Sequence, residues 1–450
     1  MNLPSSFPDT PFMHILKIAF DFFVTLGVLV FVHELGHFLA AKLCGMRVDR
    51  FSIGFPPRAI GRKIGETDYC VSWIPFGGYV KIAGMVDESM DVEFLDKPPE
   101  PWEFRAKPIW QRMFVISAGV LMNLLLALVI FWWVQYSNGR TLWETTEVGY
   151  VIEDSPAAHG GFQAGDKVVD INSAKVTNWQ QLYDDLYTEA LQGDVTVTVM
   201  RGGAELPLTF RRTSIPDPAQ TPFGIIPVNT EIVIGSVEPG KPAAKAGLQP
   251  LDVLLAMNGT PLQYDQRVRQ IVKENAGKPI PIEWLRGSDT LRGTVTPTGE
   301  GLIGISFGAR YTGVTTRFDY SLLGALPEAA KYMVNTTALF IKQMWQLATG
   351  KTAFSQSVGG PIRIAQLASQ SSDLGFLTFI SFMALLSINL ALLNILPFPA
   401  LDGGHLMFLV YEGIFHREIP ARVKIGVQKF GMAVLLLFMA YVVFNDIVHF

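Results

Sequence analysis

The chain has 450 residues, 49% of them hydrophobic and only 17% charged, with a mean hydropathy of +0.29. Soluble globular proteins carry charge on about a quarter of their residues, so the composition excludes an ordinary soluble chain. The net charge of −4 speaks against a basic nucleic-acid-binding face, and no nucleic acid is expected as a partner.

The apolar residues gather in four stretches near the roughly 20 residues that a membrane-spanning helix needs. The first runs from about Ile15 to Leu39, with Lys17 and Asp21 near its start. Its apolar core is too long for a cleaved signal peptide, and no small-residue cleavage site follows, so it should be retained. After it, "FSIGF" (51–55), "DYCVSW" (68–73) and "FGGYVKIAG" (76–84) read as short strands joined by Gly-rich turns. Gly77 and Gly78 there permit close backbone approach. Residues 113–139 hold no Asp, Glu, Lys or Arg and form the second span, and 374–401 form a third on the same ground. The last, Phe430–Asn445, is short but extends if Lys429 snorkels to the interface.

Basic residues set the orientation. Lys42, Arg47, Arg50, Arg58, Arg62, Lys63, Arg105, Lys107 and Arg112 follow the first span, and Arg417, Arg422 and Lys424 follow the third. Both loops should face the cytoplasm, with the termini and the long segment 140–373 outside. Cys44 and Cys70 then fall on the reducing side, where no disulfide is expected. Residues 321–350 mix apolar positions with Glu328, Lys331 and Lys342 and read as an amphipathic helix on the outer membrane surface.

The exterior segment contains a duplication. "VIEDSPAAHGGFQAGDKVVDINSAKV" (151–176) resembles "VEPGKPAAKAGLQPLDVLLAMNGTPL" (237–262), pairing Pro156 with Pro242, Asp166 with Asp252 and Asn172 with Asn258, each 86 residues apart. Pro begins and Gly ends a short helix in the pattern, and runs such as "DVTVTVMR" alternate as strands do. The arrangement resembles two tandem PDZ domains in permuted form. By that likeness Phe223, Gly224, Ile225 and Ile226, just before the second unit, look like its peptide-binding loop, with 149–152 a weaker counterpart in the first.

"HELGH" at 33–37 is His-Glu-x-x-His inside the first span. On a helix His33 and His37 share a face and can present two imidazoles to one metal ion, with Glu34 beside them to take and return a proton. Ionisable groups at the bilayer centre each cost about 2.5–3.5 kcal/mol on insertion scales, so three on one turn call for a compensating partner. A proton or ion pathway is the alternative use. Zinc suits nitrogen ligands and needs a third protein donor. Asp402, in "NILPFPALDGGH" (394–405), is that expected donor because it lies at similar depth, and His405 is the rival.

HExxH in the first span, Asn-x-x-Pro-x-Pro-x-Leu-Asp-Gly in the third and PDZ-like units between them resemble the site-2 protease family of zinc intramembrane proteases. The resemblance covers nearly the whole chain. It implies an α-helical membrane protein with four transmembrane helices, a cytoplasmic-side membrane-associated β-sheet and two periplasmic PDZ domains, in a bacterial inner membrane. It implies one Zn²⁺ held by His33, His37 and Asp402, with Glu34 activating water. The strands near Gly77 and Gly78, together with Asn389 and Asn394, would bind an unwound substrate. Single-span proteins already cut on the outside, such as an anti-sigma factor of the RseA type or remnant signal peptides, are the implied partners besides membrane lipid. The competing class is a PDZ-bearing membrane scaffold or transporter without peptidase activity. The expected division is a first span (1–42), a cytoplasmic-side loop and sheet (43–112), a second span (113–139), two PDZ units (140–220 and 221–300), an amphipathic segment (301–373), a third span ending in the Asp402 motif (374–402), and a loop with the fourth span (403–450). "SVGGPIRIAQLA" (357–368) resembles a further family motif to which chemistry assigns no role.

Overall fold

A computed structural model describes residues 11–85, 98–215, 222–238, 240–350 and 359–449. The chain divides into two units, 1–139 with 320–450, and 140–319.

Four helices of the first unit are long and apolar enough to cross a membrane: Phe12–Leu43, Ile109–Asn138, Phe376–Asn394 and Ala421–Val448. The first two pack closely because Gly36 carries no side chain; a Cβ there would lie 2.4 Å from the Ala118 carbonyl oxygen. Lys17 and Asp21, both costly in an apolar helix, neutralise each other at 2.8 Å, and Lys17 also reaches Asp373 at 2.9 Å. Near the other end of the chain, buried Asp446 accepts hydrogen bonds from the backbone N–H groups of Gly360, Ile362 and Arg363 at 2.8, 3.1 and 3.3 Å. It caps the helix Pro361–Asp373, satisfying donors that a helix start leaves open. The "GGPI" part of the motif noted at 357–368 therefore builds this capped start; its first two residues lie outside the described ones.

Two expectations change here. The third span ends at Asn394, and Asp402 opens a separate helix, Asp402–Phe415, instead of closing the span. Pro397 and Pro399 carry no N–H to continue the helical ladder. The new helix starts folded back on 395–398, and a Cβ on Gly403 would lie 2.0 Å from the Leu396 carbonyl oxygen. Secondly, the helix Ala325–Ala348 is fixed to the second and third spans. Its small Ala325 and Ala329 are buried, and Ala329 packs among Ala127, Phe131, Ala384 and Ile388. Trp132 Nε1 donates to the Leu322 carbonyl at 2.6 Å beside it.

Between the first two spans lie two long strands, Val48–Ile64 and Thr67–Ile82, where three short ones were expected. Each bends, so the pair makes four adjacent segments. Arg50 to Ile53 face Lys81 to Gly78 on one side and Asp68 to Val71 on the other, while Gly61 to Lys63 face Cys70 to Asp68. Segment 78–82 is an edge among the described residues.

The second unit contains the duplication as two cores. The first is built on Val148, Ala157, Phe162, Ile171, Leu182, Val197 and Phe223, and the second on Ile234, Ala243, Leu254, Val268, Ile282 and Ile303. Phe223–Ile226 therefore belong to the first core, not to the second as the sequence suggested. Strand Ile225–Pro227 pairs with Val148–Val151, and Ala157 N–H donates to Phe223 O at 3.0 Å. In the second repeat Ala243 N–H donates to Ile303 O at 2.9 Å, so Ile303-Gly304-Ile305 is the matching piece. Each repeat closes only with a strand distant in sequence, which moves the boundary from 220 to about 228.

The repeated Asp explains itself structurally. Asp166 is buried beneath Arg201, which donates to it at 2.6 and 2.7 Å, and it also accepts from Gln163 N–H at 2.8 Å. Asp252 repeats this with Arg286 at 2.8 and 2.7 Å and Gln249 N–H at 2.8 Å. The same arginines donate to the carbonyls of Gly161 and Gly247, tying the short helix to the sheet. Because the carboxylates are buried while the arginines are partly solvated, Asp252→Ala should destabilise the second repeat by about 2–3 kcal/mol. Hydrogen exchange of the full chain checks this: protection should fall over 253–257 and 280–286 and hold over 167–171 and 195–201.

Candidate metal centre

One turn separates His33 from His37, and both rings are buried, each residue 8% exposed. Their Nε2 atoms lie 3.2 Å apart. Asp402 Oδ2 lies 3.2 Å from His33 Nε2 and 3.5 Å from His37 Nε2. These three donor atoms fall within 4.8 Å of one another and form the single such group among the described residues. Asp402 Oδ2 is buried without a hydrogen bond. Three electron-pair donors aimed at one point, with a carboxylate oxygen otherwise unsatisfied, fit a zinc ion that keeps a fourth position for water or substrate.

The second span frames the site. A Cβ on Gly119 would lie 2.4 Å from His37 Nε2 and 2.6 Å from His33 Cε1, so only glycine lets this helix rest against both rings. One turn earlier, the Val115 carbonyl accepts from His37 Nδ1 at 2.9 Å, which leaves the Nε2 lone pair facing the site. One turn later, Asn123 meets His33 Nδ1 at 3.2 Å. Positions 115, 119 and 123 are thus a single stripe facing His33 and His37. The sequence reading did not include them, although an Asn inside a charge-free span was a visible signal.

The other expected residues are placed as follows. Glu34 lies beside the triad and packs on the sheet edge, where a Cβ on Gly78 would lie 2.9 Å from its Cγ. Gly77 packs on Phe55, whose ring a Cβ would meet at 2.3 Å. Asn394 Nδ2 is 3.3 Å from His33 Nε2, at the site itself. Asn389 is half-buried on the same helix and makes no hydrogen bond to the triad among the described residues. His405 Nε2 meets Gln428 at 2.8 Å, outside the donor group. Burial pushes the His405 imidazole below its usual pKa. Phe223, Gly224, Ile225 and Ile226 take no part in this cluster.

Comparison with known proteins agrees with this donor set. Residues 21–438 match the model of peptidase family M50. A Neisseria meningitidis protein named as a zinc metalloprotease is 34% identical over 452 residues, covering 97% of this chain and 99% of that one. The Haemophilus influenzae "Regulator of sigma E protease" is 31% identical, over 95% of this chain and 97% of its own. The Yersinia pestis "Protease RseP" is 32% identical, over 96% and 99%. With four apolar helices and this donor set, the chain is a membrane zinc metalloendopeptidase and belongs to peptidase family M50.

Proposed function

We propose that the chain cleaves single-span membrane proteins within their transmembrane segments, with His33, His37 and Asp402 as zinc ligands and Glu34 as the general base. The observation that carries this reading is the contact between Glu34 and Gly78. It sets the Glu34 side chain, one residue from His33, against a strand that forms a sheet edge among the described residues. A transmembrane helix hides its carbonyls in i to i−4 hydrogen bonds, so it must be locally extended before hydrolysis. An edge strand next to the base offers that extended segment a hydrogen-bonding partner.

Zinc, when bound, supplies Lewis-acid polarisation of the scissile carbonyl. Glu34 takes a proton from the attacking water and returns it to the leaving amine nitrogen. Asn394, at hydrogen-bond distance from His33, donates its amide to a substrate backbone oxygen freed by unwinding. Asn389 has less support for the same role.

The two repeats read as PDZ domains on the outer side, the basic loops facing the cytoplasm of a bacterial inner membrane. In the first, the Tyr183 hydroxyl donates to the Ile225 carbonyl at 2.9 Å and takes an acceptor that a docked peptide strand would use. In the second, Ile305–Tyr311 is the outermost strand of its sheet, with Arg269 of the neighbouring helix over the Phe307 ring. The second groove is therefore the better receiver of a newly exposed carboxyl end. Likeness to relatives named for sigma E regulation supports a membrane-bound anti-sigma factor as one substrate class, and remnant signal peptides fit the same chemistry.

Glu34→Gln should keep wild-type zinc content by metal analysis and lose about 10²–10⁴-fold in cleavage of a model single-span substrate. Equal cleavage by both forms would remove Glu34 from the reaction and favour a scaffold or transporter. Gly78→Val should also retain zinc, yet lose cleavage by about 10²-fold, since its side chain would displace the strand from Glu34. An unaffected cleavage rate would break the link between the sheet edge and the substrate.

A further inference from the structure

The reading of His33 as a zinc ligand leaves one group unaccounted for. Asn123 is fully buried, its Nδ2 lies 3.2 Å from His33 Nδ1, and its Oδ1 has no partner. It is also held from behind: its backbone carbonyl accepts from Ser387 Oγ of the third span at 2.8 Å. A side-chain amide without a full set of partners is costly in an apolar interior, so its placement against one ring nitrogen calls for an explanation.

The two amide orientations do different things to His33. With Nδ2 donating to Nδ1, the ring proton must sit on Nε2, which faces Asp402 Oδ2 at 3.2 Å and then has no lone pair for a metal. A half-turn of the amide brings Oδ1 to Nδ1. The ring proton then belongs to Nδ1, is accepted by Oδ1, and Nε2 is free to ligate. His37 already has this arrangement through the Val115 carbonyl. Asn123 stands two turns further along the same stripe and faces the equivalent atom of the other imidazole.

We propose that Asn123 is a positioning residue for the metal centre: its side-chain oxygen accepts the Nδ1 proton of His33 and holds that ring in the ligating tautomer. It touches neither substrate nor metal and acts through His33. The proposal rests on the zinc site described above, and the test separates the two.

The experiment measures Zn²⁺ affinity of the full detergent-solubilised chain by chelator competition, with the visible absorption of the Co²⁺-loaded protein recorded alongside. Asn123→Leu keeps the shape and removes the acceptor; Asn123→Asp keeps an acceptor and removes the donor. Asn123→Leu should bind Zn²⁺ about 10- to 100-fold more weakly, with an altered Co²⁺ spectrum, as for other groups that orient ligating histidines. Asn123→Asp should stay within about threefold of wild type or bind more tightly, because the accepted Nδ1 proton makes the imidazole a better donor. An unchanged affinity in Asn123→Leu, or an equal loss in both variants, overturns the proposal. If Asn123→Leu does not fold, Asn123→Asp decides by itself: tightened Zn²⁺ binding supports the acceptor role, and loss of affinity, which a role in donating to His33 predicts, overturns it. A wild-type chain that binds no Zn²⁺ would overturn the metal centre and this proposal together.

Discussion

Two helices approach backbone to backbone only where side chains are missing, and the candidate metal centre depends on one such contact. Gly36 on the first span meets the Ala118 carbonyl, and Gly119 on the second lies under both imidazoles. Small residues give apolar helices their close crossings in a bilayer, where burial of hydrocarbon offers little drive. Here the closeness has a chemical consequence. It brings the Val115 carbonyl and the Asn123 amide within hydrogen-bond reach of the two ring nitrogens that face away from the cluster.

The third donor arrives from the far end of the chain. Asp402 is positioned by the break between Asn394 and the next helix, where two prolines stop the ladder and two glycines let the following turn fold back. The carboxylate thus belongs to a helix start instead of a span end. That placement sets it half-buried beside two imidazoles while Asn394, at the last turn of the preceding helix, stays close to His33. One break in the chain therefore places two of the polar groups of the site.

Outside this centre the same economy of polar groups holds. Lys17 with Asp21, Asp446 with a helix start, and Glu412 between Arg112 and Lys424 each find partners inside the unit. In the second unit the buried Asp166 and Asp252 repeat one ion pair in two cores. Buried charge is tolerated where a partner is in place, and these positions mark where elements distant in sequence meet.

The residues alone determined the four long apolar helices, the placing of His33 and His37 on one helix face and the duplication, because hydrophobic length, helical spacing and internal repetition are local properties. Asp402 was legible as a carboxylate after a charge-free stretch and, by the likeness of its motif, as an expected third donor; its distance to the imidazoles is a tertiary fact. The same holds for Asn123 and Gly119, whose meaning lies in what the first span brings against them. Phe223–Ile226 were placed with the wrong repeat because a strand that closes a core from a distance looks, in sequence, like the start of its neighbour. Tertiary structure alone decided these points, since contacts between distant segments depend on where the backbone breaks and on which faces close together, and neither is written in the spacing of neighbouring residues.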